Sequence, residues 1–438
     1  MTTPRMTALA AMIVLFVAFV VVVVVTTPWS PLPGPVPGGR VAESISTDFS
    51  PVELQRLNSY RSQVHPPAYL AYAITVLVPL LIGLTPWGTR LVTAIARPFG
   101  GGWGWRVVGG GFVLLVLVKL LEVPFNAWSE SVQRRFGISN QDWSSWTLDQ
   151  LRGLGLTLAI GLPVLALAYA LVHWLPRWWW AGAAGLVAAL VLAISFAYPV
   201  LIEPLSNTFT PLPNGELRTS LLQLAAADHV KVSQILVADA SRRTTAENAY
   251  VSGFGATKRI VLYDTLVRPG VPEAQIKLVV AHELGHAKRN DVLHGTIEGA
   301  LGSAGAVCLL YLLITWPALL RRVGLPDVAQ LADGRSVALA IALVTLLTFL
   351  GSPVQNLISR RIEARADVHS LDLTRDPADF VRTQILLTLS NLSGLQGNPL
   401  QYGLFASHPS TPERIGLARD WAKQHGVPVP PPQADVPR

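Results

Sequence analysis

Cysteine is nearly missing. The 438-residue chain has one, Cys308, and it sits in an apolar run. No disulfide framework can form and no thiolate metal site can be built, so any metal must be held by histidine and carboxylate. Charge is also scarce, at 14% of residues, while 51% of the chain is hydrophobic and its mean hydropathy is positive. That balance excludes an ordinary soluble domain and indicates an integral membrane protein. The net charge of +7 is carried mostly by arginine and contains no basic block. It reads as loop arginines flanking membrane spans, and no nucleic-acid partner is expected. No internal repeat is visible.

What the chain does have is long apolar runs. Residues 7–26 can cross a bilayer. The run exceeds a signal-peptide core and no A-x-A cleavage site follows, so it reads as an uncleaved first span. Further spans are expected at 68–86, 107–125, 153–174, 178–200, 297–317 and 336–353. The third carries Lys119 and Glu122. Charges three residues apart at that depth either face a polar interior and pair, or snorkel at the membrane edge. The domain reading is therefore five spans in 1–202, a segment of soluble character in 203–296, spans six and seven in 297–354, a further soluble part in 355–424, and a Pro-rich tail, 425–438, expected to be disordered.

Residues 203–296 predict a helix at 215–228, a strand at 234–238, and two strands, 248–254 and 259–264, joined by a turn at 255–258. A helix over 272–293, with Pro272 in its first turn, carries His282, Glu283 and His286 as H-E-x-x-H. Residues four apart share a helix face, so both imidazoles can reach one metal ion, and Glu283 can hold a water on it. Its charged flanks, Glu273, Lys277, Lys288, Arg289 and Asp291, make it amphipathic and unsuited to lipid. The bland alternative is a surface helix with two histidines. Catalytic zinc normally takes three protein ligands and a water. A helix at 355–373 offers Glu363 as the third, with Asp367 one turn later to accept the free N–H of a ligand histidine. The alternative there is a solvated face of Arg360, Glu363 and Asp367.

Four motifs occur in one order: ENAYVSGFGATKRIVLYDTLV, HELGH, E-x-x-x-D and SHPSTPERI. The region from Glu203 to Ala418 resembles the type I CAAX prenyl endopeptidase family, the a-factor-converting enzymes and their bacterial relatives, and more distantly HtpX. The resemblance implies a mainly α, polytopic membrane protein. About seven transmembrane helices would enclose a chamber capped by a gluzincin-type α+β peptidase domain with a small β-sheet. It implies one Zn2+ on His282, His286 and Glu363, Glu283 as general base, Asn248 on an edge strand holding the substrate backbone, and His408 and Arg414 stabilising the tetrahedral intermediate or ordering the site. Lys119, Glu122 and Glu298 become candidates for the chamber wall. The chain departs from the family pattern at Ser410, where a proline is usual, and at His369, where a small residue is common. His369 reads as a packed or surface histidine and not as a ligand.

The expected activity is a zinc metalloendopeptidase, with a polypeptide substrate and the lipid bilayer as partners. Arginine's predominance over lysine suggests a GC-rich bacterial genome, where prenylated substrates are not expected, so general proteolysis of membrane-associated or misfolded polypeptides is the reading. An odd number of spans puts the termini on opposite sides. The arginine bias is weak, so the expected placement of the site at the cytoplasmic face of a bacterial plasma membrane rests partly on the resemblance. Two rivals remain: a site-2-type intramembrane protease, and a non-enzymatic membrane scaffold or transporter with a vestigial metal site.

Overall fold

The computed structural model describes residues 3–42, 44–253, 258–395 and 397–434. Among them, seven helices are long and apolar enough to span a bilayer. We label the helices α1 (Thr3–Thr26), α2 (Pro51–Gly83), α3 (Pro86–Ala96), α4 (Trp103–Arg135), α5 (Trp143–Trp174) and α6 (Trp179–Ala197). The first, second, fourth, fifth and sixth of these are spans, the last extending in its apolar character to Ser206. The surface of α1 is a row of exposed valines, including Val14, Val17, Val21 and Val25, which is stable only against lipid.

Helix α2 starts well before residue 68, where the apolar run begins. Ser50 caps it by accepting from the Glu53 N–H, and Pro51 occupies the first helical position, so the polar residues that follow are carried into the helix. The amphipathic α3 has no counterpart among the expected elements, because eleven residues are too few to read as a span.

The soluble segment opens with β1 (Phe209–Pro211), then α7 (Glu216–Ala227), β2 (Gln234–Ala238), β3 (Ala249–Ser252) and β4 (Arg259–Tyr263). Phe254 and most of the expected turn, residues 255–257, lie outside the described residues. The sheet runs β1-β2-β4-β3, with β2 and β4 parallel and the other pairs antiparallel. β3 is thus an edge strand, with one row of backbone groups unpaired by the sheet. Ile235, Ala249, Ile260 and Leu262 on one face pack on Ile276, Val280 and Leu284 of the motif helix α8 (Glu273–Arg289).

α8 is shorter than expected. Pro272 stands outside it as the N-cap, and Asn290 at φ 54° ends it. Asparagine tolerates this left-handed conformation better than most residues, and its side-chain oxygen accepts from Lys258 Nζ at 2.9 Å. The chain turns there and restarts as the sixth span, α9 (Asp291–Ile314), six residues earlier than the apolar run suggests. Against α9, α1 packs with Phe19 and Phe16 beside Gly302 and Gly305.

The seventh span is the first part of one 38-residue helix, α10 (Val337–Thr374). At about 1.5 Å per residue it is nearly twice as long as a hydrocarbon core of about 30 Å is thick, so its last turns leave the membrane. Pro353 denies Phe349 its usual donor, and the Ser352 hydroxyl supplies one at 2.9 Å. The helix therefore continues through the proline. Three helices follow, α11 (Pro377–Asn391), α12 (Pro399–Phe405) and α13 (Thr411–His425). Ser410 caps α13 in a reciprocal capping box with Glu413, which is the local use of the residue standing in place of a proline. Among the described residues of the Pro-rich tail, 427–434 form no helix or strand, but Arg419 donates to the carbonyls of Pro430 and Pro431 and also pairs with Asp48.

Candidate active site

The site forms where α8, α9, α10 and α13 meet the free edge of β3. His282 and His286 lie one turn apart on α8, with their Nε2 atoms 3.2 Å apart. Glu363 of α10 reaches between them, its oxygens 3.1 Å from His282 Nε2 and 3.7 Å from His286 Nε2. These three residues form a group that can hold a metal ion. A tetrahedral zinc with bonds of about 2.0–2.2 Å keeps its ligand atoms about 3.3–3.6 Å apart, and the separations of 3.1, 3.2 and 3.7 Å come within about 0.2 Å of that range.

Each histidine is fixed from behind. His282 Nδ1 donates to Asp367 at 2.9 Å, and His286 Nδ1 donates to Asp291 at 2.9 Å. Both rings thereby turn Nε2 toward Glu363. Asp367 is fully buried and is gripped by Arg414 of α13, through Nε at 2.8 Å and through a terminal nitrogen. Asp291 is gripped in turn by Arg365. Burial disfavours a proton on His282, but its hydrogen bonds to Asp367 and Glu363 outweigh that and raise it to about 10. The negative field that holds a proton there is the field that favours a dication.

Glu283 faces the sheet. Its carboxylate accepts from the Val251 N–H at 3.1 Å, which joins the motif helix to the free edge of β3. Burial pushes its carboxyl up from the ordinary value, partly offset by His286 and His282. Asn248 precedes β3 and is exposed. Its side-chain oxygen accepts from the Ala249 N–H at 2.9 Å, and it lines a cavity of about 780 Å³ together with Tyr198, Tyr250 and Thr296. His408 has a side chain 60% exposed, with Nε2 3.4 Å from a Glu363 oxygen. The SHPSTPERI segment therefore contributes twice, through His408 beside Glu363 and Arg414 beneath Asp367.

His369 pairs with Asp228 at 2.9 Å and lies over Gly285, where an added Cβ would meet its ring at 3.1 Å. The glycine of HELGH thus makes room for this histidine. Lys119 and Glu122 approach to 4.0 Å and line a cavity of about 400 Å³ among the spans. Glu298 is 2% exposed and lies against the Thr26 hydroxyl at 2.8 Å. Asp291 and Arg365 were not among the expected site residues. Asp291 reads as a helix flank until the break at Asn290 is known, and Arg365 reads as one more surface charge.

A fold of this kind, with this cluster carried beside seven candidate membrane helices, defines a membrane-embedded peptidase class. Residues 49–208 match the model described as CAAX prenyl protease N-terminal, five membrane helices, and residues 211–422 match peptidase family M48. The chain belongs to peptidase family M48. It is 31% identical to an uncharacterized metalloprotease of Bacillus subtilis, YhfN, over 71% of this chain and 72% of that one. It is also 31% identical to CAAX prenyl protease 1 of Saccharomyces cerevisiae, over 69% of this chain and 70% of the relative. The crystal structure of Ste24p from S. mikatae superposes with a TM-score of 0.75 at 22% identity, covering 95% of this chain and 99% of that one. The fold is therefore shared along nearly the whole length.

Proposed function

We propose that the protein is a zinc-dependent endopeptidase that cleaves membrane-associated or misfolded polypeptides at the cytoplasmic face of a bacterial plasma membrane. The observation that carries this reading is the convergence of His282, His286 and Glu363 within bonding range of one ion, beside Glu283. The four-residue set argues against a vestigial site. The motif helix Glu273–Arg289 is not one of the spanning helices, which argues against a site-2-type intramembrane protease.

His282, His286 and Glu363 would hold the zinc, and Asp367 and Asp291 orient the two imidazoles. When bound, the ion polarises a scissile carbonyl and acidifies a water. Glu283 accepts the proton of that water and delivers it to the leaving amine. The substrate runs extended along the free edge of β3, with Asn248 holding its backbone. His408 donates to the oxyanion as it develops. Relatives named CAAX prenyl protease favour a second substrate reading, a prenylated carboxyl-terminal peptide.

The test is purified protein in detergent, wild type against Glu283→Gln. One zinc per chain in both, with cleavage of an unmodified peptide only in wild type, is the expected result. Equal cleavage by both proteins sinks the enzyme reading. Cleavage of a farnesylated peptide but never of its unmodified counterpart would replace general proteolysis by the second substrate reading.

A further inference from the structure

The first membrane helix, α1, lies outside both family matches, which begin at residue 49. Its last residue nevertheless reaches the site. Arg365 of α10 donates from one terminal nitrogen to the Thr26 carbonyl at 3.1 Å and from the other to the Asp291 carboxylate. Asp291 accepts from His286 Nδ1 at 2.9 Å. A second link runs beside the first: the Thr26 hydroxyl lies 2.8 Å from Glu298, two turns along α9 from Asp291 and on the same face.

The chemistry of each step is specific. The last carbonyls of a helix have no partner within it and carry the negative end of its dipole, so a guanidinium there is doubly favoured. Arg365 can hold the carbonyl and the carboxylate at once because its donors form a fork, whereas lysine offers a point charge. The Asp291 side chain is 9% exposed, so without Arg365 it would be a nearly buried carboxylate whose remaining partner, among the described residues, is a histidine. Such a group turns away from the cluster, and His286 then loses the acceptor that orients its ring.

We propose that Arg365 is a positioning residue that ties His286 to the end of the first membrane helix, making α1 part of the scaffold of the metal site. The inference rests on the proposed zinc-peptidase reading. The experiment measures zinc affinity by chelator competition, and kcat and KM on a peptide, for the full-length protein in detergent. The variants are Arg365→Met, Arg365→Lys, Asp291→Asn and Asp291→Asn/Arg365→Met.

Arg365→Met should weaken zinc binding by about tenfold or more, in the range seen for outer-shell partners. Its loss of activity should be recovered by saturating zinc to a greater extent in kcat than in KM. Arg365→Lys should restore only part of the affinity. In the Asp291→Asn background, removing Arg365 should cost less than about threefold further, because the route through Asp291 is already cut. A charge that served folding alone would lower thermal stability without moving zinc affinity of the folded fraction. Zinc binding by Arg365→Met within twofold of wild type overturns the proposal, as do losses that multiply in the double variant. In both cases wild type still binds zinc and cleaves, so the functional reading survives. Failure of wild type itself to bind zinc overturns both.

Discussion

The Val251 N–H donates to the Glu283 carboxylate at 3.1 Å. An unpaired strand edge and a buried acid therefore share one point, so a peptide laid along β3 would pass beside that acid. Glu283→Gln preserves the size of the side chain and its ability to accept from Val251 while removing the base. Cleavage should fall about 10²–10⁴-fold, with zinc content unchanged by metal analysis.

The pairing of His282 with Asp367 predicts a pH-dependent metal affinity. His282 holds a proton up to about pH 10 through Asp367 and Glu363, and zinc must displace it. Below that pH, each unit of acidification should weaken zinc binding about tenfold, and binding should release a proton that calorimetry in buffers of different ionisation heat can count. Asp367→Asn removes the first of the two groups that raise His282. It should flatten that slope and weaken zinc binding about 10–100-fold at neutral pH.

Arg414 is the cation that keeps Asp367 paired in full burial. Arg414→Met should therefore destabilise the folded protein by about 3–5 kcal/mol, read as a fall in thermal midpoint. Arg414→Met together with Asp367→Asn should lose less stability than Arg414→Met alone, since no buried charge is left unpaired.

A methyl group added at Gly285 would meet His369 at 3.1 Å, so the histidine would have to give way. Gly285→Ala should cost about 1–3 kcal/mol of stability. His369→Ala removes the ring contacts but keeps its Cβ at 3.1 Å, so it should relieve part of that cost in the double variant, read from the thermal midpoints of the four proteins.

Asn248 would hold backbone groups of an extended substrate. Asn248→Ala should raise KM for peptides by a few-fold to about tenfold, the effect of about 0.5–1.5 kcal/mol, with little change in zinc content.

Much of this was legible in the residues, and the reasons differ by element. Spans declare themselves through runs of apolar side chains, as α1 does with its valines. Strands β2 and β4 show as short β-branched runs between turn residues. His282, His286, Glu363 and Asp367 are legible because helical periodicity converts a spacing of four into a shared face. Asp291 was not legible as a partner of His286, because five residues along an unbroken helix would carry it off that face. The left-handed Asn290 brings it back. Val251's contact with Glu283 is made by a backbone N–H, which every non-proline residue possesses, so no residue type marks it. β1 pairs over only three residues and is too short to have a pattern.

The unbroken passage of α10 through Pro353 has a mechanical consequence. One stiff rod stands in lipid at one end and carries Glu363 at the other, while the two histidines ride on a separate helix seated under the sheet. The place of that carboxylate beyond the membrane is therefore set by helix rise alone, and a one-residue insertion in α10 between the apolar run and Glu363 would carry it off the face it shares with the histidines.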